Sequence, residues 1–415
     1  MPPNHASAPT AIAPTHASPA GGRRWRFALV CDFLEEGWPS MDLFGDMLFR
    51  CFRTEYAAEV DVQQLRPAMH RHFSKLPGLG ASKLFWNLDR LLNRHYDYPL
   101  WLKGKVSNLD LIHIVDHSYA QLALRLPNDR IVVTCHDLDT FRCLLEPEAE
   151  PRPRWFRAMA ERTKAGFLRA SQVICPSAFT KAQLLRYGWF SADQVTVIAP
   201  GVDPVFFDAP DPETDLAASQ KMAPATQGYL LHVGSVIPRK RIDVLLRVFA
   251  QVLQKFPGLL LVRVGGAFTA EQSRLAIELG LKDKVVETPH LTKEELASVY
   301  RRAAIVLQTS EAEGFGLPVI EAMACGCLVV ASDIAALREA GGSAAAYCPV
   351  ADIQRWSETV VQLLDQRKAA PEAWKQRIAE ARQHAAEFTW SKHAGQTLAV
   401  YHRICRDWST AAPWA

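Results

Sequence analysis

Two carboxylates stand eight positions apart in the stretch SEAEGFGLPVIEAMACG, residues 310–326: Glu313 and Glu321. Gly314 and Gly316 lie between them, and Pro318 opens an apolar run. Lacking a Cβ, the glycines let a ligand approach the main chain. A helix that starts near Pro318 leaves free amides, which favour a phosphate or another anionic oxygen. The spacing puts Glu321 in the first helical turn, where a carboxylate accepts paired hydrogen bonds from vicinal hydroxyls such as those of a ribose. Glu313, ahead of the glycines, can accept from a sugar held beside the phosphate. Taken alone, both acids would serve as caps that complement the helix dipole. A second candidate group is the cationic run at 239–241, in which Arg239 and Lys240 suit a diphosphate. In isolation that run reads as a solvated charge cluster. His117, at a strand end, offers a neutral imidazole for a sugar hydroxyl or an acceptor, with a structural role as the alternative. His136 and Asp137 follow the next strand and are candidates for the acceptor side.

Such residues need strand ends to hold them. Short β-rich runs at 26–31, 111–116, 130–135, 172–177 and 194–200 alternate with segments of helical periodicity. A polar, proline-bearing stretch follows at 203–228, and the alternation restarts at 229–234, 259–265, 284–289, 304–309 and 328–332. Apolar strands alternating with helices predict parallel, doubly wound sheets. The pattern occurs twice, which predicts an α/β protein of two Rossmann-like domains facing a cleft. Ligands of such sheets bind beyond the carboxyl ends of the strands. The expected layout is a disordered tail (1–24), an acceptor-side domain (25–205), a linker (206–228), a donor-binding domain (229–388) and a C-terminal helix (389–415) that packs back on the first domain. In the glutamate motif, strand 304–309 leads into the glycine turn, and Gly326 suits the C-terminal cap of the helix. Alternation within strand 111–116 makes His113 a core residue.

The string EGFGLPVIEAMACG resembles, almost residue for residue, the E-x7-E signature of the family four retaining glycosyltransferases. LLHVGSVIPRKRIDVLL (230–246) is similar to the family's second donor-side motif, whose arginine and lysine hold the diphosphate of a nucleotide sugar. PHLTKEELASVYRRA (289–303), beginning Pro289, His290, Leu291, is similar to the segment that brackets the nucleobase. ICPSAFT, APGVD and LREAGGSAAAYCPVAD match further family stretches, so the resemblance covers most of the chain past the tail. It implies the GT-B fold, with Glu321 on the nucleotide ribose and Glu313 on the transferred sugar. The amides of Phe315, Gly316 and Leu317 would meet sugar and phosphate. Ser235 departs from the pattern, because many relatives carry arginine there. Lys240 then keeps the family's lysine role, and Arg239 takes the place of the missing arginine. Relatives set a glycine-containing loop against the donor phosphates where Gly37 stands in EEGWP, although without paired glycines this segment reads equally as a simple turn. They also carry a histidine after the strand that 111–116 matches, facing the transferred sugar, which assigns that place to His117.

By this resemblance the chain is a retaining, metal-independent hexosyltransferase that works without a covalent intermediate or a cofactor. Its partners would be a nucleotide-diphosphate sugar and a hydroxyl of a glycan or lipid-linked acceptor, in bacterial surface polysaccharide synthesis. A nucleotide-sugar epimerase or phosphorylase on the same frame, or a non-catalytic binding subunit, are the alternatives. DLD at 137–139 has the form that holds a divalent metal in transferases of the other great fold, but paired Rossmann halves and the glutamate motif oppose that reading. A net charge of +3 is too small to mark nucleic acid as the main partner. The opening Pro-, Ala- and Ser-rich residues carry their arginines last, the reverse of a secretory signal. Nine cysteines without any C-x-x-C pair suit a reducing cytosol. The expected location is cytoplasmic, with peripheral contact at the inner face of the membrane through the basic region 65–105 and its interleaved Phe73, Phe85, Trp86, Tyr98 and Trp101. A solvated helix pair is the plainer reading of that region.

Overall fold

The computed structural model describes residues 24–75, 82–126, 130–221, 228–288 and 291–411. The first lobe is built on strands β1 (Trp25–Val30), β2 (Val60–Leu65), β3 (Leu111–Ile114), β4 (Ile131–Thr134), β5 (Gln172–Cys175) and β6 (Val195–Val197). The second is built on β7 (Tyr229–Val233), β8 (Leu260–Val264), β9 (Val285–Thr288), β10 (Ile305–Gln308), β11 (Val329–Ser332) and β12 (Ala346–Cys348). The spatial orders are β2-β1-β3-β4-β5-β6 and β12-β11-β10-β7-β8-β9, and every pairing is parallel. Strands β3, β4, β10 and β11 are buried at every position, which is why they read as unbroken apolar runs. Two edge strands, β2 and β12, escape the sequence pattern: one is VDVQQL, half polar, and the other has three residues.

Chain order reverses between β1 and β3 in the first sheet and between β7 and β10 in the second. These are the switch points where loops part to opposite faces and leave a crevice for ligands. The loops carrying Gly37, His117, Arg239, Lys240 and Glu313 all leave strands at these two points.

The helix Trp390–Ala411 returns to the first lobe, where Trp390, Leu398, Tyr401 and Ile404 share a core with Phe27, Leu29, Phe44 and Phe52. Within it, His113 is buried as expected, hydrogen-bonded through Nδ1 to the Tyr401 hydroxyl at 2.5 Å and through Nε2 to Thr134 Oγ1 at 2.7 Å. Between the lobes, the stretch expected as a linker carries a helix, Pro212–Lys221, packed on the helix Lys293–Arg302. Residues 222–227, and all of the expected N-terminal tail but Arg24, lie outside the described residues. All nine cysteines are buried free thiols. Among the described residues no helix is long and apolar enough to cross a membrane.

In the basic region, a helix Lys83–Leu92 continues through a π-helical turn, Asn93–Asp97, into Tyr98–Lys103. Leu84, Leu88, Tyr96 and Leu100 are exposed. Tyr98, read from sequence as one of the docking aromatics, is instead wholly buried, its hydroxyl donating to the carbonyls of Cys31 and Leu65. Its helical spacing from Leu102 turns both inward.

Candidate functional site

The donor-side group forms where β7 and β10 run side by side. The short turn Pro238–Lys240 follows β7, and the loop 309–316 follows β10. Thr309 Oγ1 donates to the Lys240 carbonyl at 3.0 Å and the Glu311 amide to the Arg239 carbonyl at 2.9 Å, which locks the two loops together. Glu313 is thereby ringed by donors. Lys240 Nζ lies 2.5 Å from its Oε1, Ser310 Oγ 2.7 Å and Gln308 Nε2 2.9 Å, while Arg239 Nη1 reaches Oε2 at 2.9 Å. Burial alone would raise this carboxyl, but the Lys240 and Arg239 charges outweigh it and hold the pKa at about 2. The cationic run divides accordingly: Arg239 and Lys240 turn to Glu313, and Arg241 turns outward to Asp243 and Glu311.

Gly316, at φ +112°, caps the helix Leu317–Ala324, a backbone state that favours glycine. Glu321 is the fifth residue of this helix and so stands in its second turn, not the first. The helix begins at Leu317, and Pro318 is already inside it. Its carboxylate accepts from the Tyr300 hydroxyl at 3.0 Å. Burial pushes its pKa up to about 7, against the pull of that hydroxyl. Glu313 and Glu321 are thus opposites: one a fixed anion, the other poised to titrate near neutrality.

Across the gap, the first lobe presents His117. Asp116 Oδ1 lies 3.2 Å from its Nδ1, and the Ser118 amide and hydroxyl anchor the same aspartate. The His136 amide also approaches that nitrogen, at 3.4 Å, but the nearer carboxylate sets Nδ1 as the protonated atom. Burial disfavours the charged ring, yet the hydrogen bond and charge of Asp116 prevail and raise its pKa. Its Nε2 is buried with no hydrogen-bond partner among the described residues, 3.9 Å from Asp137 Oδ1. Behind Asp116 sits Asp32, whose carboxyl is raised well above its usual range by burial and by the neighbouring Asp116. His136 faces inward, Nε2 donating to the Val115 carbonyl at 2.8 Å, and burial lowers its pKa.

The two sides meet. Arg239 Nη2 reaches Asp137 Oδ2 at 3.4 Å, Thr180 Oγ1 donates to the Gly314 carbonyl at 3.4 Å, and Glu339 accepts from the amides of Ala178 and Phe179 at 2.7 and 3.0 Å. At Gly314 a Cβ would lie 1.9 Å from the His136 carbonyl oxygen, so this approach requires glycine. One cavity of about 1350 Å³ spans the interlobe gap. It is lined by Gly37, His117, His136, Asp137, Ser235, Arg239, Lys240, Leu291, Glu313, Gly314, Phe315, Gly316, Leu317 and Glu321. Pro289 and His290 lie outside the described residues. Sequence reasoning missed Asp116, Asp32, Gln308, Ser310 and Tyr300. Only Asp116 left a signal, since an aspartate two residues before a serine at a strand end is a capping pattern.

Residues 215–383 match the family described as Glycosyl transferases group 1, and residues 51–206 match Glycosyltransferase Family 4. The chain belongs to the family four glycosyltransferases. Its sequence is 33% identical over 253 residues to a D-inositol 3-phosphate glycosyltransferase of Mycolicibacterium smegmatis, covering 59% of this chain and 55% of that protein, little more than half its length. It is 29% identical over 299 residues to the O-antigen chain mannosyltransferase B of Escherichia coli, covering 69% and 74%. In fold it is similar to the sucrose-phosphate synthase of Thermosynechococcus elongatus (TM-score 0.67, 23% identity, 92% and 99% covered). It is also similar to HepE of Anabaena, solved with UDP and glucose (TM-score 0.64, 17% identity, 91% and 98% covered). The architecture is therefore GT-B.

Proposed function

We propose that this family member moves a hexose from a nucleotide-diphosphate sugar to a hydroxyl of a glycan or lipid-linked acceptor, with retention at the anomeric carbon. The observation that carries the reading is the convergence of Arg239, Lys240 and Glu313 at the mouth of the helix bearing Glu321, opposite His117, in one interlobe cavity. Arg239, Lys240 and the amides at the start of the helix Leu317–Ala324 would stabilise charge developing on the leaving diphosphate. Glu321 would hold the ribose and Glu313 the transferred sugar, with His117 reaching a sugar hydroxyl from the other lobe. A leaving-group oxygen would take the acceptor's proton on the same face of the sugar. Contact between the lobes would exclude water from the reacting centre. The similarity to an O-antigen mannosyltransferase supports a role in bacterial surface polysaccharide, and the similarity in fold to a protein solved with UDP supports a nucleotide donor. Exposed Leu84, Leu88 and Leu100, beside the basic residues of their helices, support peripheral contact with the inner face of the membrane.

Thermal-shift screening with UDP-, GDP- and ADP-sugars tests the donor assignment, because a ligand that binds the folded state raises its melting temperature. One nucleotide class should raise it, and the shift should shrink when Arg239 and Lys240 are both changed to Gln. An unchanged shift in that double variant removes the phosphate assignment. Turnover that requires inorganic phosphate would replace the transferase reading with a phosphorylase.

A further inference from the structure

Strand β8 reads LLVRV, and its arginine is an anomaly. Arg263 is 0% exposed in an otherwise apolar strand. Register sets it between His232 of β7 and Glu287 of β9. Among the described residues no carboxylate lies within ion-pairing distance of it, and the Glu287 carboxylate instead accepts from the Phe268 amide at 2.5 Å. His232 offers no counter-charge: burial and the Arg263 charge lower its pKa to about 3. A buried cation in such a setting is costly unless its donors are satisfied.

Backbone satisfies the two terminal nitrogens, while Nε meets no hydrogen-bond partner among the described residues. One guanidinium nitrogen donates to the carbonyls of Gly234 at 3.0 Å and Gly265 at 3.2 Å, and the other to that of Gly266. The Phe268 ring covers the guanidinium at 5.2 Å. The two loops leaving β7 and β8 are thus tied to one side chain. They are also pressed together, since a Cβ on Gly265 would lie 2.2 Å from the Gly234 carbonyl oxygen. Gly265 and Gly266 take φ of +125° and +99°, a backbone state open to glycine.

In a trans peptide the carbonyl and the following amide point in opposite directions. Carbonyls of Gly234, Gly265 and Gly266 turned toward Arg263 therefore turn the amides of Ser235, Gly266 and Ala267 away from it. Gly234, Ser235, Gly265 and Gly266 line the interlobe cavity. Amides that leave left-handed glycines toward a cavity can line an anion-binding concavity.

We propose that Arg263 is a positioning residue for the donor diphosphate, holding three carbonyls so that the amides of Ser235, Gly266 and Ala267 form an anion nest with its own buried charge behind them. The inference rests on the nucleotide-donor reading above. It also gives the serine at position 235, where many relatives carry arginine, a physical complement: the positive charge stands beneath the loop instead of on it.

Calorimetric titration with UDP, GDP and ADP, and with the nucleoside of whichever binds tightest, tests the nest. Arg263→Gln should weaken the diphosphate at least about tenfold while leaving nucleoside affinity in place. Arg263→Lys, with charge but no fork, should fall between. Gly266→Ala, whose Cβ would meet no atom within 4 Å, should reproduce the loss because the left-handed backbone is given up. If Arg263→Gln does not fold, Gly266→Ala decides. Undiminished diphosphate affinity in the folded variants overturns the nest alone. Wild-type protein that binds none of the three diphosphates overturns the donor reading, and the nest with it.

Discussion

The two walls of the interlobe cavity are built on opposite electrostatic plans. On the second-lobe wall, Glu313 is saturated by two cations and two neutral donors, from the last residue of β10 and the loops that follow β7 and β10. On the first-lobe wall, His117 has one strong partner, Asp116, and presents a buried Nε2 with no hydrogen-bond partner among the described residues, with a second buried carboxyl, Asp32, behind. A saturated cluster is set before anything binds, whereas a partly satisfied one leaves hydrogen-bonding capacity for what enters. The contrast suggests that the second lobe holds its ligand rigidly and the first completes the site when the lobes meet.

The largest effect should come from breaking the saturated wall. Glu313→Gln keeps the shape but removes the anion between Arg239 and Lys240, and transfer should fall by about 10²–10³-fold in initial-rate assays. Activity close to wild type would mean the cluster is structural only.

The next test sharpens the contrast through pH. Glu321 rises from its ordinary 4.5 to about 7, so the fold favours its protonated form. The corresponding stability is present below about pH 4.5 and is lost as pH climbs through 7. With Glu321 on the ribose, as proposed, its carboxylate is the form that would accept both hydroxyls, and nucleotide affinity should rise by up to about tenfold between pH 6 and 8. Glu321→Gln should flatten that rise in titrations at the two pH values.

His117 shows the same sign of pH dependence, although the form the fold favours there is the charged one. Its raised value means the imidazolium stabilises the fold fully below the unfolded value near 6.5, and this contribution fades as pH rises through the folded value. The groups facing it are Asp116, His136, Asp137 and Asp139, with Asp32 beyond Asp116 and Arg239 beyond Asp137. Asp116→Asn should lower the ring's titration point by about 1–3 units, read by NMR of its ring protons. An unmoved titration would show that Asp116 does not set it.

The smallest effect belongs to the seam. Glu339 accepts from the first amides of the helix Ala178–Arg186 in the other lobe. Glu339→Gln should raise the donor KM about two- to fivefold with little change in kcat. Small-angle scattering should show a more open average shape, and an unchanged scattering profile would count against a closing role.

Local pattern made part of this site legible. Gly314, Gly316 and Pro318 mark a strand–turn–helix junction wherever it falls, because their backbone preferences are intrinsic. Glu313 and Glu321 travel with that junction. The core strands were equally readable, since strands buried on both faces are mostly apolar. β2 and β12 were not, because one alternates with Asp and Gln and the other spans only three residues. Tyr98 was misplaced because composition does not say which way a helix faces.

From the chain alone came two parallel sheets, a gap between them and a junction fit for an anion. Only the folded molecule settled which charges meet. Glu313 finds Lys240 because β10 lies next to β7 in space, and Arg263 finds Gly234 because β8 lies on the other side of β7. Sheet order is a property of the whole packing, decided by how every helix covers its face. No spacing along the sequence encodes it locally.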